Sequence, residues 1–254
     1  MTLAHDAIPR PASGPPSRFA VVVPAHDPGP RLRATLDALL LQVPAAHVLL
    51  VDDGSRDGSV AHARDLGIDV FSHSTRQGKG AALASGFTVL GRRGWPWILS
   101  MDADGQHDPS YIPRFIQAAS EGNLDLVLGD RMSAPGPMPW DRRLSNALSS
   151  RLLSWRLGQR LPDSQCGFRL YRTSLLARLS LQCRQFDLES ELLLKALPAG
   201  GRLGFVRVPS LYHGTSSGIH RLGDSLRFLA LLAGSFGKDF TSVPQSTEDI
   251  LGSI

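Results

Sequence analysis

Short apolar runs alternate with longer amphipathic segments along the chain from Phe19 onward. The runs are rich in β-branched residues, and such alternation is typical of βα units in a mostly parallel sheet with helices on its faces. Strands are predicted at residues 19–23, 47–51, 68–71, 97–101 and 124–129. Helices are predicted in the intervals, at residues 30–42, 57–66, 78–92 and 109–121. The pattern therefore predicts an α/β fold.

The two ends of the chain depart from this pattern. Residues 1–17 are rich in proline and contain no apolar run, so a disordered tail without a signal peptide is expected. Near the C-terminus, apolar residues recur at helical spacing at Leu222, Leu226, Leu229, Ala233 and Phe236. This spacing predicts an amphipathic helix within a C-terminal segment, residues 221–254. One α/β domain is expected between the two ends, over residues 18–220.

Charge and cysteine content narrow the classes of function. The 254-residue chain has a formal net charge of +4, a sequence pI of ≈ 9.5 and clustered arginines, which favour an anionic partner such as a phosphate, a nucleotide or a lipid headgroup. Its two cysteines, Cys166 and Cys183, have no metal-ligand spacing, which argues against a disulfide framework or a structural zinc site. The longest apolar run, residues 228–236, is about half of the ~20 residues that a spanning helix needs, so no transmembrane segment is predicted.

Polar motifs follow the predicted strands at their C-terminal ends, where ligands bind in sheets of this kind. Asp102 and Asp104 come directly after the fourth strand, and alternate positions bring their carboxylates to the same side. Gln106 adds an amide oxygen, and hard oxygen ligands suit Mg²⁺ or Mn²⁺. These three residues therefore predict a divalent metal site, with a solvated acidic turn as the alternative.

Two further motifs predict nucleotide contacts. Asp52 and Asp53 end the second strand, where one of them could accept a hydrogen bond from a base N–H or a ribose hydroxyl. The segment 76–80 is glycine-rich and leads into a helix, so free backbone N–H groups near Gly78 and the cation of Lys79 are expected to converge on an anion. Taken alone, this segment is equally compatible with an ordinary flexible turn.

Together these motifs resemble the family 2 glycosyltransferases of the GT-A fold, and most closely the polyprenyl-phosphate sugar synthases of the dolichyl-phosphate mannose synthase type. The resemblance extends from about Phe19 to Phe236 and rests on VVVPAHD, VDDGSRDGS, RQGKGAAL, MDADGQHDP, GDRM, DSQCGFRLY and FDLESEL, in the family's order. It implies a Rossmann-like, mostly parallel sheet flanked by helices, with a C-terminal helical extension. The implied activity is metal-dependent, inverting transfer of a sugar from a UDP- or GDP-sugar to a polyprenyl phosphate.

The resemblance also implies which residues bind the donor. The base and the ribose would be held by Pro24, Asp27 and Asp52 or Asp53. Asp102 would contact the ribose or the metal, whereas Asp104 and Gln106 would hold the cation.

On the acceptor side, the resemblance implies that Arg131 and Arg169 bind a phosphate, while Asp187 and Glu189 lie under the sugar. A phosphate acceptor is already largely ionised near pH 7. A hydroxyl acceptor would need a general base, for which Asp187 and Glu189 are the candidates. The alternative role for Asp187 is to cap a helix predicted at residues 188–197.

Two departures from the family's pattern leave the donor partly undefined. The family's first motif usually contains Tyr, Asn and Glu, whereas this chain has His26, Asp27 and Pro28, so the choice of base stays open. Near the C-terminus the family usually has a basic residue followed by Gly, Ser and Lys. Here the corresponding run is YHGTSS, and a contact to the diphosphate would come from His213, from His220 or from neither.

Residues 141–160 predict a basic amphipathic helix. Its apolar stripe consists of Leu144, Leu148, Leu152 and Trp155. Its flanking arginines are Arg142, Arg143, Arg151, Arg156 and Arg160. Such helices lie at anionic membrane surfaces, although packing against the core or a second subunit would produce the same pattern. The expected location is the cytoplasm, either free or peripherally at the inner face of the plasma membrane.

Three functions remain open at this point. The first is a polyprenyl-phosphate glycosyltransferase, and the second is a family 2 transferase that acts on a soluble or protein-bound hydroxyl acceptor. The third is a sugar nucleotidyltransferase or a non-catalytic nucleotide-sugar binding protein. A nucleotide sugar is the expected partner in all three and nucleic acid in none, while the oligomeric state is undetermined.

Overall fold

The computed structural model describes residues 16–133, 136, 138–211 and 221–236. The strands of its sheet are β1 (Phe19–Ala25), β2 (Val48–Asp52), β3 (Asp69–Ser72), β4 (Trp97–Ser100), β5 (Leu126–Asp130), β6 (Arg169–Arg172) and β7 (Leu203–Arg207). They form one seven-stranded sheet in the order β3-β2-β1-β4-β6-β5-β7. All neighbouring strands are parallel except β6, which is antiparallel to both β4 and β5. The predicted α/β fold with a mostly parallel sheet is confirmed.

The α-helices cover both faces of this sheet. They are α1 (Arg31–Leu40), α2 (Val60–Asp65), α3 (Lys79–Arg92), α4 (Ile112–Glu121), α5 (Trp140–Leu157), α6 (Thr173–Leu176), α7 (Leu188–Ala196) and α8 (Arg221–Gly234). The helices predicted between the strands correspond to α1–α4, and those predicted near 141–160 and 188–197 correspond to α5 and α7. Of the predicted tail, only residues 16 and 17 lie within the described part of the chain.

Alternation along β1 places its side chains in two apolar layers. Val21 and Val23 face the layer that contains α1, α2 and α4, whereas Ala20 and Val22 face the layer that contains α3, α5, α7 and α8. Gly86 lets α3 lie directly on the sheet, because a Cβ at that position would overlap the Val22 side chain. The central strands are thus held from both sides, and their C-terminal ends are fixed in place.

Two strands were not predicted from the sequence. β6 is only four residues long and has arginine at both ends, so its pattern does not indicate a buried strand. β7 contains Gly204, which lies against the Leu124 side chain, and glycine weakens a strand pattern. β6 matters for function, because its antiparallel direction brings the residues that precede it to the edge where β1, β2 and β4 end.

Within the described residues, no helix is both long and apolar enough to cross a membrane.

Candidate active site

Asp53 at the end of β2 anchors the glycine-rich segment 76–80. Its carboxylate accepts hydrogen bonds from the backbone N–H groups of Gln77 (2.8 Å) and Gly78 (2.7 Å) and contacts His73 Nδ1 at 2.7 Å. The residue is only 2% exposed. The structure therefore gives Asp53 a supporting position beneath the glycine-rich segment. Asp52 is also buried, and its carboxylate accepts the Ser55 N–H.

The glycines of this segment allow close packing against residues 184–185. Gly78 has φ 109°, and a Cβ there would overlap the Arg184 carbonyl oxygen. A Cβ at Gly80 would lie 2.5 Å from the Gln185 carbonyl oxygen, and the Ala81 N–H already donates to Arg184. Of the N–H groups expected to receive an anion, those of Gln77 and Gly78 donate to Asp53 and that of Ala81 donates to Arg184.

Lys79 joins two carboxylates that come from distant parts of the chain. Its Nζ lies 2.6 Å from Asp102 Oδ1 and 3.1 Å from Glu189 Oε1. Burial alone would lower the pKa of Lys79, but the two carboxylates outweigh burial and raise it. Burial likewise opposes ionisation of Asp102, yet the nearby Lys79 lowers the pKa of that carboxyl to about 2. Lys79 and Asp102 are therefore both charged at neutral pH.

Asp104 and Gln106 lie in the turn that follows Asp102. The Gln106 N–H donates to Asp104 Oδ1 at 3.0 Å, and both residues are partly exposed. One carboxylate oxygen of Asp102 contacts Lys79, whereas the Asp104 carboxylate accepts only the Gln106 N–H among the contacts described. Asp104 is therefore the less engaged of the two carboxylates. Carboxylate and amide oxygens on one short turn could hold a divalent cation.

His107 was not assigned a role from the sequence, although it lies inside the motif MDADGQHDP. The Asp102 N–H donates to its Nδ1 at 3.2 Å, and the ring stacks on Phe168 with centroids 5.2 Å apart. Burial lowers the pKa of His107, with Asp102 and Asp104 opposing this effect. The only sequence signal was its position directly after Gln106, which does not reveal burial.

Gly167, just before β6, completes the site. A Cβ at this position would lie 2.8 Å from Asp102 Oδ2 and 3.0 Å from Glu189 Oε1, closer than real Cβ atoms approach oxygen. Its carbonyl accepts the Ser100 hydroxyl at 2.7 Å, which fixes the segment against β4. Glycine at this position therefore lets both carboxylates pack against its backbone.

Gly167→Ala is expected to lower kcat/KM by about tenfold, because the added methyl group must displace Asp102 or Glu189 from their present positions. The measurement is steady-state sugar transfer together with the thermal midpoint. Gly91→Ala is the matched control, since a Cβ there would meet only the Thr173 methyl at 3.5 Å. Equal activity of the two variants would contradict the tight packing described above.

The two arginines predicted to bind an acceptor phosphate differ in their surroundings. Arg131 donates through Nε (2.8 Å) and Nη2 (3.1 Å) to Asp163, and it lies near enough to Asp102 to lower the pKa of that carboxyl. Arg169 is 0% exposed, and its guanidinium donates to the carbonyl oxygens of three residues, Ser164, Cys166 and Glu189. In this structure Arg169 therefore holds the backbone before β6 and in α7.

The remaining predicted residues lie around this centre. Pro24 is buried in β1. Asp27 is exposed at φ 45°, and its carboxylate accepts the Arg56 N–H at 2.6 Å. Asp187 occupies the N-cap position of α7, but its side chain makes no capping bond there and accepts the Gln185 N–H instead. The predicted diphosphate contact from position 213 or 220 lies outside the described residues.

Comparisons with known proteins identify the family of the chain. The sequence profile of Glycosyl transferase family 2 matches residues 20–180. Polyprenol monophosphomannose synthase of Mycolicibacterium smegmatis is 28% identical over 223 residues, 83% of each chain. Undecaprenyl-phosphate mannosyltransferase of Micrococcus luteus is 30% identical over 203 residues, 76% of this chain and 82% of the relative.

A solved structure has the same fold. The structure of glucosyl-3-phosphoglycerate synthase from Mycobacterium tuberculosis in complex with Mn²⁺, UDP-glucose and phosphoglyceric acid superposes with a TM-score of 0.71. The match covers 91% of this chain and 82% of that chain at 20% identity, and it confirms the GT-A fold. From the profile match and the relatives, the chain is a glycosyltransferase and belongs to glycosyl transferase family 2.

Proposed function

We propose that the protein transfers a sugar, with inversion, from a nucleoside diphosphate to a polyprenyl phosphate at an anionic membrane surface. The observation that carries the proposal is the Lys79 bridge between Asp102 and Glu189. It brings together the motif after β4, which we propose binds the donor diphosphate, and the start of α7, which we propose lies under the sugar. The names of the two relatives, which specify a polyprenol and an undecaprenyl phosphate, support this class of acceptor.

The side chains present fit a Mg²⁺ or Mn²⁺ ion that is shared with a substrate diphosphate. Asp104 and Gln106 offer hard oxygen atoms on one turn, with Asp102 beside them. Among the residues that the structure describes, no group of three or more His, Cys, Asp or Glu could hold a metal. Sites of this kind need only one or two protein carboxylates, because the phosphates supply further ligands. When bound, the cation would neutralise charge that develops on the leaving diphosphate.

The chain's own residues supply charge and orientation around this point. Lys79 is cationic and adjoins both carboxylates, so we propose that it contacts the diphosphate in the donor complex. Glu189 is held in place by Lys79, and we propose that it orients the sugar together with Asp187. A phosphate acceptor is largely ionised near pH 7 and needs positioning more than deprotonation. With a hydroxyl acceptor, one of these carboxylates would have to act as general base.

A donor and acceptor panel tests this proposal. Radiolabelled UDP- and GDP-sugars are incubated with the protein, Mn²⁺ and either undecaprenyl phosphate or a soluble acceptor, phosphoglyceric acid. Label that moves into the organic phase only with undecaprenyl phosphate supports the proposal. Label that moves to the soluble acceptor instead would establish the second class of family 2 transferase.

Arg131 is the residue that we propose for the acceptor phosphate. Arginine offers a planar, charged fork that suits phosphate oxygens, and Asp163 holds this guanidinium in a fixed orientation near Asp102. Arg131→Lys is expected to raise the acceptor KM about tenfold or more, because it removes a charge-assisted hydrogen bond. Donor binding, measured by calorimetry with UDP or GDP, should be nearly unchanged.

The control for Arg131 is Asp163→Asn, which weakens the same ion pair and keeps the arginine itself. If Arg131 only stabilises the fold, the two variants will lower the thermal midpoint similarly and leave the acceptor KM unchanged. Loss of UDP or GDP affinity with an unaltered acceptor KM would instead assign Arg131 to the donor.

The helices α5 and α8 together present an exposed apolar face, here called the α5–α8 face. Its exposed members are Trp140, Leu144, Leu148, Trp155, Leu226, Leu229 and Phe236. Leu152, predicted to share this stripe, instead packs against the core. Arg156 joins the helices by hydrogen bonds to Ser235 and lies over the Phe236 ring. Exposed arginines beside the face suit an anionic lipid surface, and we propose that it docks there peripherally.

Anionic vesicles are expected to float the protein at low salt and to release it near ~0.5 M NaCl. The reason is that the distance over which charges attract one another shortens as ionic strength rises. Arg143→Glu with Arg151→Glu should abolish flotation, since both side chains are exposed on α5. Arg156 is unsuitable for this test because it holds Ser235. The matched control reverses the charges of Arg33 and Arg64 by substitution with glutamate. Both side chains are exposed on helices of the opposite layer. Wild-type protein that stays soluble and sediments as a dimer would make the face a subunit interface.

A further inference from the structure

His107 lies behind the metal motif and is buried, with 5% of its surface exposed. The ladder between β1 and β4 continues to Met101, whose N–H donates to the Val22 carbonyl oxygen. The next N–H along the chain, that of Asp102, donates to His107 Nδ1 at 3.2 Å. The ring nitrogen thus accepts a hydrogen bond from the first backbone N–H beyond the β1–β4 ladder, at the point where the chain enters the turn 102–106.

We infer that His107 is a positioning residue that fixes Asp102, and through it the turn 102–106, for the cation and the donor. The inference rests on the proposed function, because it assigns His107 to the same metal site. His107 lies on the protein side of Asp102 and contacts neither substrate nor metal in this role. It is therefore a positioning residue and not a catalytic one.

The geometry determines what each part of the ring does. Nδ1 accepts the Asp102 N–H, so it is unprotonated and the ring proton of the neutral imidazole lies on Nε2. Nε2 lies 3.9 Å from Asp102 Oδ2, beyond hydrogen-bond distance but close enough for electrostatic attraction. The ring is held by stacking on Phe168 at an interplanar angle of 13°.

Asp102 is consequently held from two sides. On the site side, Lys79 Nζ lies 2.6 Å from Asp102 Oδ1. On the protein side, His107 holds the main chain of the same residue. A carboxylate that must exchange contacts with Lys79 for contacts with a donor or cation needs a backbone that stays in place, and His107 provides that restraint. Partners behind a metal ligand typically contribute about 10–100-fold in metal affinity or activity.

Two substitutions separate the hydrogen bond from simple filling of space. His107→Asn places an amide oxygen near the position of Nδ1, so the acceptor for the Asp102 N–H is kept while the ring is lost. His107→Leu fills more of the space and offers no acceptor. If His107 only fills space, His107→Leu should have the smaller effect. If His107 positions Asp102 through the hydrogen bond, His107→Asn should have the smaller effect.

The experiment measures Mn²⁺ binding in the presence of UDP and of GDP by the loss of the free-Mn²⁺ paramagnetic resonance signal. It also measures hydrogen–deuterium exchange of the peptide that spans 101–106, without any ligand, and the thermal midpoint of each protein. We expect His107→Leu to weaken Mn²⁺ binding by about 10–100-fold and to speed exchange in 101–106. His107→Asn should rescue both quantities to within about threefold of the wild type.

The two measurements distinguish failure of the inference from failure of the proposed function. Equal Mn²⁺ affinity and equal exchange in the wild type and His107→Leu would overturn the inference, as would losses in both variants that follow only their thermal midpoints. A wild-type protein that binds no Mn²⁺ with either nucleotide would contradict the proposed metal site. Hydrogen–deuterium exchange in 101–106 then tests the role of His107. Faster exchange in His107→Leu but not in His107→Asn supports the inference, and unchanged exchange in both variants overturns it.

Discussion

Replacing Asp104 by asparagine is expected to lower turnover by at least ~10²-fold, a typical cost of losing a main electrostatic element of a transition state. The substitution keeps the shape of the side chain and removes its charge. Asp104 lies on the turn after β4 with its carboxylate partly exposed, and Gln106 is its internal hydrogen-bond partner. Mn²⁺-dependent binding of UDP or GDP should weaken in parallel, which calorimetry measures directly.

Asp108→Asn is the matched control for this experiment. Asp108 lies four residues further along the same loop, and its side chain accepts the Ser110 N–H at the start of a short turn of 3₁₀ helix. Asparagine caps helices about as well as aspartate, so removing this charge should leave both turnover and stability nearly unchanged. An Asp104→Asn enzyme that is fully active in EDTA would refute the metal site.

The sequence was sufficient to predict where β1 to β5 end to within two residues, because apolar periodicity and position along the chain both identify these strands. Asp52, Asp102 and Asp104 each follow an apolar run, and parallel strands bring such positions to one edge of the sheet. The position of these carboxylates at one edge of the sheet is therefore a consequence of local pattern and topology. Neither depends on how individual side chains pack.

The contacts of the glycines could not be predicted in this way. Gly78 and Gly80 suggested a phosphate-binding loop, but they pack against residues 184–185, more than a hundred positions away. Gly167 lets carboxylates from two other elements pack against its backbone. A sequence pattern indicates that a backbone needs room, and only the tertiary structure identifies what occupies that room.

Arg131 and Arg169 illustrate the same limit for charge. Each lies in a motif of the family's pattern, and each was predicted to bind the acceptor phosphate. The unpredicted strand β6 begins at Arg169 and draws it into the core, whereas Arg131 follows β5 at the site edge. Burial of an arginine depends on backbone acceptors brought together by folding, which periodicity does not reveal.

Arg169→Met is accordingly expected to destabilise the protein by about 3 kcal/mol or more. Methionine fills similar space but donates no hydrogen bond, so the buried carbonyl oxygens of Ser164, Cys166 and Glu189 each lose one donor. Each buried group left unsatisfied costs about 1–3 kcal/mol. In a chain of this size the thermal midpoint should fall by roughly 6 °C or more. The measurement is thermal unfolding, with acceptor KM determined well below the midpoint.

The comparison with Arg131→Lys separates a structural arginine from a phosphate-binding one. Arg169→Met should lower the midpoint and leave the acceptor KM of the folded enzyme within about twofold, since the guanidinium faces carbonyl oxygens and not the site. Arg131→Lys should do the opposite, because it keeps a cation near Asp163 and loses the planar fork. If Arg169→Met retains the wild-type midpoint and raises the acceptor KM, Arg169 binds phosphate after a rearrangement that brings it out of the core. The two arginines would then act together on the acceptor, as the motifs alone predict.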